Sequence, residues 1–255
     1  MKVTLIQSNI HWEDAQANRD HLDQLMQRVP GDTDIIVLPE MFTTGFTMHA
    51  TSQSESMDGL TLLWMKEKAR QMDAAVIGSI IIQEGSRYYN RLIWQMPDGQ
   101  TVHYDKKHLF SLALEDQTYT PGKQRLSVSF RDWVCVPLVC YDLRFPVWSR
   151  NTSGYDLLIY VANWPQVRSQ AWTTLLKARA IENQCFVLGV NRVGWDEAGH
   201  YYSGESAIID YQGDEIATKK DDEDLLYAEL DREKLMEFRS QYAFLRDQDA
   251  FKLLP

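Results

Sequence analysis

Apolar runs bounded by turn residues recur along the chain. "VTLIQSNI" from Val3, "DIIVLPE" from Asp34, "AAVIGSIIIQE" from Ala74 and "DLLIYVAN" from Asp156 have the length and β-branched content of buried strands. "VCVPLVC" from Val134, "CFVLGVNRVG" from Cys185, "SAIIDY" from Ser206 and "LLYAEL" from Leu225 extend the series. Helical spacing lies between the early runs. Leu22, Leu25, Met26 and Val29 fall on one helix face, and Leu60, Leu63 and Met65 predict a second helix in "GLTLLWMKEKARQM". A third, "SQAWTTLLKARAIENQ" from Ser169, places Trp172, Leu175, Leu176 and Arg179 on neighbouring turns. In "RLIWQMPDGQTVHYDKKHLF" two strands flank Pro97-Asp98-Gly99, a hairpin signal. Helices alternating with buried strands, followed by hairpins, predict one mixed α/β domain over residues 1–255, with no Gly/Ser/Pro-rich linker dividing it. The charge run Lys219 to Asp224 reads as a solvated loop before the last strand.

Composition narrows the function classes. With 26 basic against 36 acidic residues the formal charge is −10, so there is no basic footprint for nucleic acid or an anionic membrane. No run of about 18 apolar residues appears, and the apolar run at the N-terminus is too short for a signal-peptide core, so a cytoplasmic location is expected. Cys135, Cys140 and Cys185 show no CxxC spacing, which fits free thiols in a reducing compartment.

Three polar side chains stand where apolar runs stop: Glu40 after "IIVLP", Lys106 in "HYDKKHLF", and Cys140 after "VPLV". Each has an ordinary reading on its own. A lone cysteine is usually a small core residue, a glutamate there could cap the next segment, and Lys106 beside Lys107 could be a solvated pair. Chemical fit raises the combination. A cysteine attacks as its thiolate and needs a base or a cation nearby; a glutamate can take the thiol proton, and a lysine can hold an oxyanion.

These residues carry a resemblance. The chain resembles the nitrilase superfamily of carbon-nitrogen hydrolases: "VLPEMFTTGF" is similar to the glutamate motif, "YDKKHLF" to the lysine motif and "LVCYDLRFP" to the nucleophile motif. The likeness continues through "KARAIENQ", "NRVG" and "SGESAIIDYQGD". It implies a four-layer α-β-β-α sandwich, Glu40 as proton acceptor, Lys106 and the Tyr141 backbone N–H as oxyanion donors, Cys140 as nucleophile, and Glu115 in a supporting role. It implies no metal or organic cofactor. Within the superfamily the chain most resembles the omega-amidase branch, on "CYDLRFPVWSRN" and "VANWP", which implies hydrolysis of the terminal amide of 2-oxo dicarboxylic monoamides such as 2-oxoglutaramate and 2-oxosuccinamate. Phe42, Tyr141 and Trp164 are the expected pocket walls, although core packing is the ordinary reading of any aromatic here. Members commonly associate through helices near the nucleophile, so a homodimer is expected, with the C-terminal "FRSQYAFLRDQDAFKLLP" a candidate to reach across. Asp105, where arginine is common, and Val147, where glutamate is common, depart from the family pattern.

Other arrangements fit the sequence less well. His103, Asp105 and His108 could suggest a metal, but in an extended segment 103 and 105 share a face and 108 points away. A Cys140–His108 pair would leave Glu40 and Lys106 without a task. Asp142 and Arg144 read as paired ions shaping a turn, Asn191 and Arg192 as residues ordering loops. Arg168 reads first as a surface residue at a helix start, although its guanidinium suits a substrate carboxylate. Alternatives in function are an N-carbamoyl amine or nitrile substrate on the same triad, or a binding protein without turnover.

Overall fold

The computed structural model of the protein describes residues 1–252. In chain order the elements are β1 (Lys2–Gln7), α1 (Ala15–Met26), β2 (Ile35–Val37), α2 (Ala50–Gln53), α3 (Leu60–Met72), β3 (Ala75–Glu84), β4 (Arg87–Gln95) and β5 (Thr101–Asp105). They continue through α4 (Glu115–Thr118), β6 (Val128–Phe130), β7 (Trp133–Val139), α5 (Pro146–Ser149), β8 (Leu157–Ala162), α6 (Ser169–Asn183) and β9 (Phe186–Asn191). The last are β10 (Val193–Trp195), β11 (Tyr201–Ile209), β12 (Glu215–Lys220), β13 (Asp224–Glu229) and α7 (Arg232–Gln241).

Two sheets result. One has the order β13-β1-β2-β3-β4-β5, the other β10-β11-β9-β8-β7-β6 with β12 beside β11. The period-2 alternation of strand side chains sorts the first sheet cleanly. Leu5, Val37 and Ile77 share one apolar cluster with Leu138, Ile159 and Val161 of the second sheet, whereas Ile6, Ile36 and Val76 pack on Leu22, Leu25, Leu62 and Met65 of α1 and α3. On the other side Trp172, Leu176 and Ala180 of α6 cover the second sheet. The layers are therefore helix, sheet, sheet, helix, the α-β-β-α sandwich expected of the family.

Most predicted elements form, and the departures have local causes. In α3 Leu60 and Leu63 are 67% and 54% exposed, while Leu62, Trp64, Met65 and Ala69 are buried. Five apolar residues within six positions leave the helical phase ambiguous, and the 62-65-69 spacing is the face that meets α1 and the sheet. "CFVLGVNRVG" is not one strand but β9 and β10, broken at Arg192. That side chain turns inward, donating to Asn9 Oδ1 (3.2 Å) and the Trp195 carbonyl (3.0 Å). The run Lys219 to Asp224 is a tight turn rather than a loop, with Lys219 and Lys220 still in β12 and Asp224 opening β13. The hairpin holds: β4 and β5 pair antiparallel with Gln95 opposite Thr101, and Gly99 takes φ +95°, a conformation glycine adopts without strain.

Candidate active site

The site lies where parallel strands end together. Val139 of β7 pairs with Val161 of β8, and Ala162 of β8 with Asn191 of β9, so Cys140 and Asn163 leave the sheet at one level. In the facing sheet β2 runs through Leu38 and Pro39 to Glu40, and β5 passes directly into Lys106. Ligand sites of α/β sheets favour these carboxyl ends.

Cys140 sits at φ +43°, a left-handed backbone costing about 1–2 kcal/mol for a non-glycine residue. The buried carboxylate of Asp142 holds that turn. One oxygen accepts the Val139 N–H (3.0 Å) and the Tyr104 hydroxyl (2.8 Å); the other accepts the His108 N–H (3.0 Å) and faces His108 Nδ1 at 2.7 Å. Asp142 thereby ties the turn at Cys140 to the segment carrying Lys106. It makes no ion pair with Arg144, contrary to the expected pairing; Arg144 instead lies 5.0 Å over the Trp164 ring.

Glu40, Lys106 and Glu115 are each at most 1% exposed. Lys106 Nζ lies 2.8 Å from Glu40 Oε1 and 3.0 and 2.9 Å from the two oxygens of Glu115. Asn90 Nδ2 donates to Glu40 Oε1 (2.8 Å) and Glu115 Oε1 (3.1 Å). The Asn163 N–H reaches Glu40 Oε2 (2.8 Å), and the Phe110 N–H reaches Glu115 Oε2 (2.6 Å). Glu40, Lys106 and Glu115, the residues singled out by the motif resemblance, therefore meet around one ammonium, with the Cys140 sulfur beside them. Burial alone would lower the Lys106 ammonium, but the facing charges of Glu115 and Glu40 outweigh it and push it up. Burial, then the Glu40 charge, holds the Cys140 thiol well above its ordinary value, with Lys106 opposing. The resting sulfur is thus a protonated thiol beside a carboxylate. Burial also raises Glu115, against the pull of Lys106.

A carboxylate offers about four acceptor positions. Glu115 receives Asn90 and Lys106 on one oxygen and Lys106 and Phe110 on the other, so it is fully engaged. That suits it to anchoring Lys106 and leaves it no open position for water.

Above this cluster opens a cleft of about 390 Å³, lined by Cys140, Lys106, Asn163 and aromatic side chains that include Trp12, Phe46 and Phe110. The size falls in the about 300–1,000 Å³ range of small-ligand sites. Tyr141 and Trp164 line it as expected. Phe42 does not: it packs 5.9 Å from Trp64 in the core under α3, and Gly78 of β3 leaves room for its ring, since a Cβ there would come within 2.7 Å of Phe42 Cδ1. Plain strand alternation would keep Glu40 and Phe42 on one face, but the backbone turns left-handed at Met41 between them, with φ +42°, and they part to different layers. Arg144 and Arg168 line the cleft, and neither has a carboxylate within 4.0 Å among the described residues. Arg168 lies over Phe110 at 5.1 Å, and its carbonyl accepts Trp164 Nε1 (2.8 Å), so the helix-start residue is also a cleft residue. Asp196, His200 and Tyr202 form the opposite wall; the Tyr202 hydroxyl donates to Asp196 at 2.9 Å.

His108 is committed to Asp142 and stacks on Phe145 at 3.8 Å, and Asp105 forms a two-point pair with Arg91 at 2.6 and 3.0 Å. Among the described residues no cluster of three His, Cys, Asp or Glu side chains suits a metal. Sequence reasoning missed Asn90 and Asn163. Asn163 ends "DLLIYVAN" as Cys140 ends "VPLVC", so the same strand-end rule points to it; Asn90 is an amide opening the apolar run of β4. Asn191 does order the loops, bonding the Trp164 carbonyl (2.9 Å), the Gly204 carbonyl (2.8 Å) and the Trp164 N–H (2.8 Å).

Comparison with known proteins agrees with this geometry. The carbon-nitrogen hydrolase family model matches residues 2–240. The chain is 46% identical to omega-amidase YafV of Escherichia coli (strain K12), over 99% of this chain and 98% of that protein. It is 30% identical to a 2-oxoglutaramate amidase of Bacillus subtilis (strain 168), over 96% of each. Among solved structures, XC1258 of Xanthomonas campestris, a CN-hydrolase superfamily protein with an arsenic adduct in its active site, superposes with a TM-score of 0.98 at 40% identity, covering 100% of this chain and 99% of that one. With its fold, its motif order and the full length of these matches in agreement, the chain belongs to the carbon-nitrogen hydrolase family.

Proposed function

We propose that the protein is an omega-amidase, hydrolysing the terminal amide of 2-oxo dicarboxylic monoamides such as 2-oxoglutaramate and 2-oxosuccinamate to the 2-oxo acid and ammonia. The observation that carries this reading is the meeting of Glu40, Lys106 and Cys140 under a small cleft whose wall presents two guanidiniums without carboxylate partners. The similarity to an omega-amidase and a 2-oxoglutaramate amidase supports the substrate class.

In this reading the Cys140 thiol passes its proton to Glu40 as sulfur attacks the amide carbon. Glu40 Oε1 already holds Lys106 and Asn90, so the acceptor is Oε2, which carries only the Asn163 N–H. The C=O electron pair moves to oxygen, held by Lys106 and the Tyr141 N–H. Lys106 can turn one N–H toward it because its contacts to Glu115 are shared between two oxygens. Glu40 then returns the proton to nitrogen, the C–N bond breaks, and ammonia leaves an acyl-thioester. Water gives its proton to Glu40, attacks the acyl carbon and expels sulfur, which recovers the proton. Arg144 and Arg168 would take the distal carboxylate, since a guanidinium pairs with it at two points.

The test is ammonia release across 2-oxoglutaramate, 2-oxosuccinamate, N-carbamoyl amines and nitriles, with mass spectrometry of the trapped enzyme. Turnover highest on the 2-oxo amides with an acyl adduct on Cys140 is expected. Preference for another class, or an adduct elsewhere, refutes the assignment.

The protein is further proposed to act as a homodimer in the cytoplasm. Support for the dimer comes from exposed Val147 on α5 and from Phe244 and Phe251 in the C-terminal segment, which line one surface depression beside α5. A monomer mass that does not change with concentration would refute it. For the compartment the support is a nucleophile that must stay a reduced thiol; among the described residues no helix is long and apolar enough to cross a membrane. Fractionation of cells checks it.

A further inference from the structure

Among the described residues, Asn90 is the one neutral side chain that hydrogen-bonds to both buried carboxylates. It is 1% exposed on β4, opposite Ile81 of β3, and its own carbonyl accepts the Lys106 N–H at 3.0 Å. Its Nδ2 carries two hydrogens, and each is directed at a carboxylate: Glu40 Oε1 at 2.8 Å and Glu115 Oε1 at 3.1 Å. The opposite amide orientation would aim a carbonyl at two anions, so the placement of nitrogen is fixed by its partners. Asn90 Oδ1, in contrast, is buried with no hydrogen-bond partner among the described residues. Burying an unpaired acceptor opposes folding, so the amide is out of place as a stability device, and its use lies in the donor half.

We infer that Asn90 is a positioning residue: it spaces Glu40 and Glu115 around Lys106 and, by filling Glu40 Oε1, reserves Oε2 for the thiol proton. With Lys106 and Asn90 both on Oε1, the open acceptor position of Glu40 is on Oε2, the oxygen also held by the Asn163 N–H, whose residue's carbonyl is 3.9 Å from the Cys140 sulfur. Without Asn90 the carboxylate keeps Lys106 on Oε1 and the Asn163 N–H on Oε2, but Oε1 gains an open acceptor position and Oε2 is no longer singled out for the thiol proton. The ammonium then holds two carboxylates with no neutral donor between them. The titratable groups facing Glu40 are Lys106 from the end of β5, Glu115 of α4, Cys140 and Tyr119. This inference rests on Glu40 as the proton acceptor.

The experiment compares Asn90→Ala and Asn90→Asp with wild type in two assays: ammonia release from 2-oxoglutaramate, and iodoacetamide alkylation of Cys140, each as a function of pH. Misplacing the base predicts a kcat lower on the order of 100-fold in Asn90→Ala with KM within about threefold. Losing a donor to the ionised pair moves the acid limb of both profiles up by about one pH unit. Asn90→Asp fills the same volume, keeps one donor while protonated and becomes a third carboxylate when ionised. Its activity should therefore fall as pH rises through a limb that wild type lacks. A kcat within threefold of wild type, a loss confined to KM, or unmoved limbs in both variants overturns the inference. Failure of both variants to fold overturns it as well, since Asn90 would then be a folding residue. If wild type releases no ammonia from any 2-oxo amide, the substrate reading fails while the alkylation profiles still decide the role of Asn90.

Discussion

Replacing Lys106 by methionine is the most informative perturbation of the buried cluster. Methionine is similar in length and leaves Glu40 and Glu115, both 0% exposed, facing each other without the ammonium that each touches at 2.8–3.0 Å. Removing one partner of a buried charge pair typically costs about 3–5 kcal/mol. For a protein of this size that lowers the unfolding midpoint by about 6–20 °C, at about 2–4 °C per kcal/mol. The deficit must also depend on pH. Two buried carboxylates without a cation take up a proton, and Glu115, already raised by burial, loses the Lys106 charge that opposed the rise, so its folded-state value moves further above the unfolded value of 4.5. An acid raised on folding favours the folded state below its unfolded value and loses that advantage as pH rises through the folded one. Lys106→Met should therefore fall furthest below wild type near pH 8 and recover toward pH 5, by at most about 1.4 kcal/mol per pH unit for one proton. Thermal and urea unfolding at several pH values measure this. A deficit under about 1 kcal/mol, or one that does not change with pH, would show that the ammonium does not hold the pair and would refute the charge accounting.

Other perturbations separate the roles of the remaining groups. Glu40→Gln should lower amide turnover about 100- to 10,000-fold, yet remove the charge that, after burial, pushes the Cys140 thiol up; the thiolate absorbance should then titrate at lower pH than in wild type, and an unchanged midpoint would mean that Glu40 does not face the sulfur. Iodoacetamide should label Cys140, which lines the cleft, and spare Cys135 and Cys185, which are fully buried with thiols pushed up by burial; peptide mapping reads this, and equal labelling of all three refutes it. Asp142→Asn reverses part of a carboxylate that accepts from Val139, Tyr104 and His108, so turnover and thermal midpoint should fall together, by about 1.5–3 kcal/mol in stability. Arg144→Ala combined with Arg168→Ala should raise KM for 2-oxoglutaramate while leaving that for an uncharged amide of similar length unchanged; equal effects on both substrates would show the arginines to be wall residues only.

The legible part of the site was the part written at strand ends. Glu40 and Cys140 each end an apolar run with a polar group, and a sequence reader can see that without knowing the partner; Lys106, which follows Asp105 at the end of the hairpin, is marked by its motif instead. Asn163 carries the same mark but a bland chemistry, and its main function is performed by a backbone N–H that any residue supplies. Asn90 was illegible for another reason: its importance comes from two carboxylates 50 and 25 positions away, and no local pattern records them. Phe42 was misplaced because the chain reverses layers within two residues of Glu40, at a left-handed Met41 with φ +42° that nothing in "PEMF" announces. For α3 the difficulty was a surplus of apolar residues, which fixes that a helix is buried on one side but not which side.

Cost and chemistry in this site are the same accounting. A strand-end cysteine at φ +43°, two carboxylates and one ammonium with almost no solvent, and an asparagine with an unpaired carbonyl each oppose stability. Had the cluster been neutral, with a single carboxylate on the lysine, the thiol would have met an acceptor already satisfied by its ion pair. The second carboxylate changes that. Glu115 absorbs much of the hydrogen-bonding capacity of Lys106, so Glu40 keeps an open position on Oε2 beside a thiol that burial holds protonated. In the proposed reaction, proton transfer would then accompany attack rather than precede it, with the ammonium at hand for the oxyanion. The surrounding sandwich supplies the rigidity that keeps these groups from relaxing, through the Asp142 links on one side and the paired ends of β7, β8 and β9 on the other.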